Sequence, residues 1–179
     1  NYGFEVRDTI PPTIQTAALI PLDLSSSVNG LPLTAWVEKP GAAAEPFVLS
    51  GRIGVAADVF DRANDANNRL GPYIVTLAVD STVVFTKTYD MISYDEDRYG
   101  AFDNIPGALH GGGGYVSALY RQTGNSIGMY RGDGVLTAKV LTGGEPHTLT
   151  IRAADRAGNE SSFSFKVVFS EKPYFTVCE

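Results

Sequence analysis

The segment that most constrains the fold is 146–169, PHTLTIRAADRAGNESSFSFKVVF, near the C-terminal end of the chain. Apolar and polar residues alternate in its first half, and the alternation resumes after the stretch DRAGN. A period of two is typical of a β-strand with one buried face, and Asp, Gly and Asn favour the turn between two such strands. The segment therefore predicts a β-hairpin. Its residues predicted to face the core are Leu149, Ile151, Ala153, Phe163, Phe165 and Val167.

Composition extends the prediction to the whole chain. The 179 residues suffice for a substantial core, and Gly (19) and Pro (10) interrupt the chain often. No long stretch carries apolar residues at helical spacing. The sequence therefore predicts one all-β domain, an immunoglobulin-like antiparallel β-sandwich with an inserted region of loop and short helix.

The charge and hydropathy of the chain argue against several classes of function. The formal net charge is -6, whereas nucleic-acid-binding domains present clustered Lys and Arg. No apolar stretch approaches the length of a membrane span, and the N-terminal residues do not resemble a signal peptide. We expect neither nucleic-acid binding nor a membrane span. Because the chain does not begin with Met, we expect it to be a segment of a longer protein.

Residues 1–12 are predicted to be a linker, because Pro11 and Pro12 exclude a helix and hold the chain extended. The sandwich is predicted over 13–170, followed by a tail over 171–179. The hydrophobic pattern favours edge strands over 14–24 and 31–37, and central strands in the segments 47–61 and 73–79. Further strands are predicted over 82–89, where Val83 and Phe85 fit a hairpin partner, and over 135–141.

The strand pattern is lost between about residues 90 and 134. This part of the chain contains the acidic stretch YDED at 94–97, four consecutive glycines at 111–114, and one predicted helical turn over 115–121. We interpret it as an insertion across one end of the sandwich. No repeat with a period of 20 to 50 residues is present, which argues against a solenoid.

The residues suited to zinc or nucleophilic chemistry are few and scattered. His110 and His147 form no local ligand pair, and two structural or surface histidines are the favoured interpretation. Cys178 has no partner for an internal disulfide and no basic sequence neighbour to lower its thiol pKa. The sequence therefore predicts no catalytic residue, no metal site of the zinc type and no cofactor in this chain.

Calcium is the one metal for which the sequence offers candidates. Asp58, Asp61 and Asp65 lie in the stretch DVFDRANDANN at 58–68, and calcium prefers such oxygen ligands. The stretch lacks the spacing of a known calcium loop, and Asp and Asn are equally common in tight turns. A plain turn is the favoured interpretation there, and also for the DRAGN stretch at 155–159.

A second candidate surface is aromatic. It consists of Tyr94, Tyr99, Tyr115 and Tyr120, and tyrosine offers both a stacking face and a hydrogen-bonding tip to a sugar or peptide. The alternative is that these rings pack in the core beneath a solvated loop. Exposed coplanar rings would support the binding surface, and buried rings would exclude it.

Several motifs, in their order along the chain, resemble a β-sandwich region that follows the catalytic domain in some bacterial lysostaphin-like zinc metallopeptidases, the endopeptidases that cut peptidoglycan cross-links. The motifs are YGFEVRDTIPPTI at 2–14, ALIPLD at 18–23, SSVNG at 26–30, SGRIGVAADVFDRA at 50–63, GPYIVTLAVD at 71–80, VVFTKTYD at 83–90, SYDEDR at 93–98 and DRAGNESSFSF at 155–165. Together they cover most of the chain.

The resemblance implies an accessory role rather than catalysis. In that family the zinc ligands belong to an H-x-x-x-D motif and an H-x-H strand in the catalytic domain, so zinc is expected upstream of this chain. The implied protein is periplasmic or extracellular, in the cell envelope. Its implied partners are the upstream peptidase domain and either peptidoglycan or another envelope protein. The alternatives are a carbohydrate-binding module and a calcium-stiffened, immunoglobulin-like adhesion domain.

Overall fold

The computed structural model describes residues 8–38, 45–64, 67–90, 94–96, 103, 105 and 116–171. These residues form a nearly all-β structure, as the sequence predicts. The strands are β1 (Thr13–Pro21), β2 (Ser27–Val28), β3 (Ala35–Val37), β4 (Phe47–Ser50), β5 (Ile53–Phe60), β6 (Ile74–Val79), β7 (Thr82–Thr88), β8 (Val116–Ala118), β9 (Tyr130–Arg131), β10 (His147–Ala154) and β11 (Glu160–Phe169).

The strands form two packed sheets. The four-stranded sheet has the order β3-β1-β5-β8, and the seven-stranded sheet has the order β2-β4-β11-β10-β6-β7-β9. The core between them draws on both sheets, with Leu19 and Val55 from the first and Leu77, Leu149 and Phe165 from the second. Burying each such side chain contributes roughly 1.5–3 kcal/mol, so the alternating apolar faces supply the main driving force for this arrangement.

The C-terminal hairpin is confirmed. β10 and β11 pair antiparallel, with Leu149 opposite Phe165 and Ile151 opposite Phe163. All six residues predicted to face the core are buried. The period-two pattern therefore predicts both the strand pair and its inward face.

The stretch 47–61 is not the continuous strand that its hydrophobic pattern suggests. It divides into β4 and β5, which belong to different sheets. The chain changes sheet at Gly51, whose φ is 78°. A Cβ at Gly51 would lie 2.8 Å from Cα of Ser26, which is too close. A larger residue is therefore excluded both by this clash and by the positive φ.

Four other sequence predictions need correction. β1 is an interior strand, and of the two predicted edge strands β3 alone lies at an edge of its sheet. The segment 135–141 is not a strand; it contributes one bridge, between Leu136 and Ile53. The predicted helical turn at 115–121 is replaced, over 116–118, by β8. Val83 is 57% exposed because an irregularity in the β6–β7 pairing displaces it from the face that carries Phe85.

One pairing departs from the predicted antiparallel arrangement. β11 runs parallel to β4, from Val167 opposite Phe47 to Phe169 opposite Leu49.

The start of β1 lies beside the end of β5, because Thr13 pairs with Phe60. We call this end of the sandwich the arm end, and residues 8–12, which lead into β1, the arm.

The predicted insertion at 90–134 contains β8 and β9, one strand for each sheet. The immunoglobulin-like strand order stays a prediction. Among the described residues no helix is long and apolar enough to cross a bilayer.

Candidate functional site

Three carboxylates converge at the arm end of the sandwich. Asp8 belongs to the arm, Asp61 directly follows β5, and Asp155 directly follows β10. One carboxylate oxygen from each residue lies within 4.8 Å of the other two. We call this group the acidic cluster. Its members are far apart in sequence, so folding of the sandwich and docking of the arm bring them together.

The β10–β11 turn positions two members of the acidic cluster, Asp155 and Asp8. The carboxylate of Asp155 accepts hydrogen bonds from the Asn159 backbone N–H at 2.9 Å and from its side-chain amide at 2.7 Å. The same amide nitrogen donates to the backbone carbonyl of Asp8 at 3.2 Å. The arm is held a second time by the Thr9 N–H, which donates to the side-chain oxygen of Asn64 at 3.2 Å.

The surroundings of Asp61 disfavour its negative charge. Its residue is 7% exposed, and burial raises the pKa of its carboxyl group. A hydrogen bond from the Arg62 N–H to Oδ1 at 2.8 Å opposes that rise, while the charges of Asp155 and Asp8 add to it. The cluster therefore carries mutual repulsion that a proton or a cation would relieve.

An open cavity of about 410 Å³ adjoins the acidic cluster. Besides the three carboxylates its wall includes Tyr73 and Arg156. The Arg156 guanidinium lies over the Tyr73 ring, 4.7 Å from its centroid, and donates to Asp90 at 2.7 Å. The arm end thus presents acidic, basic and aromatic groups to the same opening.

The acidic cluster differs from the calcium candidates in the sequence. Asp61 belongs to it, but Asp58 does not: Asp58 lies on β5 and pairs with Arg69 at 3.8 Å. Burial raises the pKa of Asp58, and Arg69 opposes the rise. Asp65 lies outside the described residues. The two unforeseen members are Asp8, in the predicted linker, and Asp155, in the stretch interpreted as a plain turn.

The predicted aromatic surface is not assembled by the tyrosines that the structure describes. Tyr94 is fully exposed, but Tyr120 is 8% exposed and packs with Ala118 and Val135. Tyr120 is therefore a packing residue rather than a stacking platform. Tyr99 and Tyr115 lie outside the described residues.

A second group, which the sequence prediction missed, is buried around Lys87 on β7. Its Nζ lies 2.7 Å from Oδ1 of Asp103 and also donates to Ser117 Oγ and to the carbonyl of Ala118. The hydroxyl groups of Tyr89 and Tyr130 donate to the Asp103 carboxylate, each at 2.5 Å. We call these groups the lysine cluster. Lys87 is 0% exposed.

Burial is the largest influence on the pKa values of Lys87, Tyr89 and Tyr130. It lowers the pKa of Lys87, and the adjacent Asp103 carboxylate opposes that effect. It raises the pKa of both Tyr89 and Tyr130, with Asp103 adding to the rise. The two phenols are therefore held protonated, as donors to the carboxylate.

The sequence carried a signal for Lys87 but none for Asp103. In TVVFTKTY at 82–89 the lysine stands two positions after Phe85, so the period of two places it on the same inward face. A lysine on such a face needs a buried partner. Asp103 lies in a loop region without periodicity, and nothing local singles it out.

The histidine predicted to be structural or at the surface, His147, opens β10. Its Nδ1 lies 2.8 Å from Oδ2 of Asp80, and its Nε2 lies 2.9 Å from the carbonyl of Thr142. His110 and Cys178 lie outside the described residues.

Comparison of the chain with protein-family models, with curated proteins and with solved structures gives no significant match. The resemblance to lysostaphin-like peptidases therefore stays a prediction.

Proposed function

We propose that this chain is a non-catalytic accessory module of a cell-envelope zinc metallopeptidase that acts on peptidoglycan, and that it positions the peptidase domain through its arm. In this proposal the zinc is bound by the upstream domain, and the protein resides in the periplasm or outside the cell. The partners are that domain and either peptidoglycan or another envelope protein.

One observation carries the proposal. Three of the motifs in the resemblance, far apart in sequence, supply the groups that meet at the arm end: Asp8 from the first, Asp61 from SGRIGVAADVFDRA, and Asp155 with Asn159 from DRAGNESSFSF. Residues of three motifs thus meet at one place in the fold. The last of these motifs holds the first, through the bond from Asn159 to Asp8.

The positioning role depends on how the arm is attached. A free linker leaves the domain before it able to reorient, whereas a segment bonded at several points fixes the direction in which the chain leaves the sandwich. The arm is bonded through Asp8 to Asn159 and through Thr9 to Asn64. The chain that leads to an upstream domain would therefore leave the sandwich in a defined direction at the arm end.

The first test uses the complete gene product. We expect the residues encoded before Asn1 to contain H-x-x-x-D and H-x-H motifs. We also expect the complete protein to release soluble fragments from purified sacculi in a zinc-dependent manner, and the 179-residue chain to release none. Hydrolysis by the chain alone, or a complete protein without zinc-dependent hydrolysis, would overturn the proposal.

The positioning role has its own test in the complete protein. Asn159→Ala removes the bond to the arm, and Asn68→Ala, at an exposed loop position, is the control. We expect Asn159→Ala to lower sacculus hydrolysis while zinc content and hydrolysis of a short soluble cross-link peptide stay unchanged. Equal loss with both substrates would contradict positioning, because it would indicate damage to the catalytic domain.

A pull-down with insoluble sacculi distinguishes between the two kinds of partner. Retention of the isolated chain that survives high salt would identify peptidoglycan as the partner. Absence of retention at low and at high salt would exclude peptidoglycan as the partner and favour docking to the peptidase domain or to another envelope protein.

The calcium-stiffened domain is the second candidate, and the acidic cluster favours it. Three carboxylates within 4.8 Å of one another are a suitable ligand set for a hard cation. If calcium binds the folded state there, millimolar calcium raises the melting temperature of the chain, and Asp61→Asn removes most of the increase. Glu145→Gln, at an exposed position, is the control. A melting temperature independent of calcium would exclude this candidate.

A further inference from the structure

The lysine cluster brings an amine and a carboxyl group into contact inside the protein. Nζ of Lys87 lies 2.7 Å from Oδ1 of Asp103, so it is within reach of Cγ, to which Oδ1 is bonded. The lysine is 0% exposed and Asp103 is 8% exposed. We propose that Lys87 and Asp103 condense into an intramolecular isopeptide bond between Nζ and Cγ.

The reaction needs no co-reactant. A proton first passes from the ammonium group to the carboxylate, which gives the neutral amine and the neutral acid. The nitrogen lone pair then attacks Cγ, a proton moves from nitrogen to the departing hydroxyl group, and the C–O bond breaks. The products are one amide and one water molecule, so atoms and charge balance.

Burial favours the first step. An isolated charge is costly inside a protein, and burial lowers the pKa of Lys87, which favours the neutral amine. The aromatic rings of Tyr89 and Tyr130 lie beside the amine, with centroids 5.4 and 5.8 Å from Nζ. They help to exclude water, which would otherwise stabilise the ion pair and allow the amide to be hydrolysed.

The two phenols also suit the second step. Tyr89 donates to Oδ2 and Tyr130 donates to Oδ1, so each carboxyl oxygen has its own donor. When Nζ attacks, negative charge develops on the oxygen that stays, and a fixed hydroxyl donor stabilises that charge. Oδ2, with Tyr89, is assigned this role. Oδ1 lies next to Nζ, receives the proton and leaves as water.

The remaining contacts orient the amine. Nζ donates to Ser117 Oγ and lies 3.3 Å from the carbonyl of Ala118. After condensation the single amide hydrogen still has an acceptor in this pair. The nitrogen is therefore held toward Cγ before the reaction and stays satisfied after it.

The bond would connect the two sheets. Lys87 lies on β7 of the seven-stranded sheet, while the carbonyl of Asp103 accepts the Ala118 N–H of β8, in the four-stranded sheet, at 2.9 Å. A covalent bond at this place would fasten Asp103, and through its hydrogen bond to Ala118 the end of β8, to the opposite sheet.

The decisive experiment is the intact mass of the unfolded, purified chain after prolonged incubation of the folded protein at neutral pH. We expect a mass lower than that of the sequence by one water molecule. A protease digest should then contain a branched peptide that joins the segment around Lys87 to the segment around Asp103, with no cleavage by trypsin after Lys87. A mass equal to that of the full sequence would overturn the proposal, since it would show that Lys87 and Asp103 form an ion pair and no covalent bond.

Loss of water can also arise when an Asp-Gly pair such as Asp133-Gly134 cyclises. Tandem mass spectrometry that places the loss within a linear peptide would therefore overturn the proposal too. Lys87→Arg and Asp103→Ala should restore the full mass, and Lys139→Arg, at an exposed position, should not. If the first two variants fail to fold, the position of the branch in the unaltered chain still decides the question.

The role of the phenol is tested by rate. After refolding of chain that has not yet reacted, the variant Tyr89→Phe should form the branch about 100-fold more slowly, which is typical for removal of one donor to a developing oxyanion. An unchanged rate in the folded variant would contradict the role assigned to Tyr89.

Discussion

The side-chain amide of Asn159 donates to the backbone carbonyl of Asp8 at 3.2 Å, across 151 positions of sequence. It also donates to the carboxylate of Asp155 at 2.7 Å. A single residue thus closes its own turn and attaches the arm to the sandwich. This makes the β10–β11 turn more than a connection between two strands.

Asn159→Ala should therefore destabilise both the turn and the arm. It removes two hydrogen bonds, one of them to a carboxylate, and we expect a loss of about 1–2 kcal/mol in the free energy of unfolding. Urea denaturation measures the loss, and Asn68→Ala is the matched control in an exposed loop. Faster hydrogen exchange at the Thr9 amide should accompany it. Unchanged stability and exchange would contradict the attachment of the arm.

The acidic cluster should make stability depend on pH. Because burial and the neighbouring carboxylates raise the pKa of Asp61 in the folded state, the folded protein binds a proton more tightly there than the unfolded chain. The contribution of Asp61 to stability is then unfavourable at neutral pH and improves as the pH falls through its raised pKa.

Asp61→Asn tests this dependence without removing the local hydrogen bond, since the amide oxygen can still accept the Arg62 N–H. We expect the variant to be more stable than the unaltered chain at neutral pH, and the difference to shrink on acidification. Urea denaturation at several pH values measures it, with Glu145→Gln as the control. Lower stability at neutral pH would show that the carboxylate is stabilising there.

The pair of His147 and Asp80 should act in a defined pH window. The hydrogen bond to Asp80, followed in size by that to the Thr142 carbonyl, raises the pKa of His147. The hydrogen bond from His147 lowers the pKa of Asp80. The stabilisation that His147 contributes is present below its pKa in the unfolded chain and is lost as the pH rises through its pKa in the folded protein. The stabilisation that Asp80 contributes is present above its pKa in the unfolded chain and is lost as the pH falls through its lowered pKa in the folded protein.

Nuclear magnetic resonance titration of the His147 ring should therefore give a midpoint above the ordinary histidine value, and Asp80→Asn should lower it. Asparagine tolerates the left-handed φ of 53° at this position, so the variant removes charge without forcing the turn to change. A midpoint that does not respond to Asp80→Asn would show that the carboxylate is not the cause of the raised pKa.

Close packing between Gly54 and Tyr120 should limit substitution on β5. A Cβ on Gly54 would lie 2.6 Å from Cε1 of the Tyr120 ring. We expect Gly54→Ala to lower the free energy of unfolding by about 1–3 kcal/mol, as overpacking does. With Tyr120→Ala added, the loss should be smaller than the sum of the two single losses. Gly71→Ala, where a Cβ meets nothing within 4 Å, is the control. An additive double variant would contradict the contact.

The sequence predicted the fold best where the determinants are local. The β10–β11 hairpin has a full period-two pattern on both strands and a turn between them, so its register and buried face follow from the sequence. The division of 47–61 between two sheets does not, because only Ser50, Gly51 and Arg52 interrupt the apolar residues, too short an interruption to indicate a change of sheet. Likewise, Val135 to Leu141 resembles a strand in sequence although only Leu136 forms a bridge.

The candidate sites were less accessible to sequence reasoning because their members come from distant segments. The sequence grouped Asp61 with Asp58 and Asp65. Asp58 pairs with Arg69, whereas Asp61 meets Asp8 from the arm and Asp155 from the β10–β11 turn. In the lysine cluster the period of two indicated an inward Lys87. No local pattern could indicate that Asp103 would meet it.

The course of β11 has a mechanical consequence. This strand starts next to the turn that holds Asp8 and runs 10 residues to Phe169, a length of about 33 Å. β1 also runs away from the arm end, so a pull on the start of β1 and on the end of β11 acts along both strands. Such a force loads the hydrogen bonds between β11 and its neighbours β4 and β10 in shear, many at once, rather than peeling them apart in sequence.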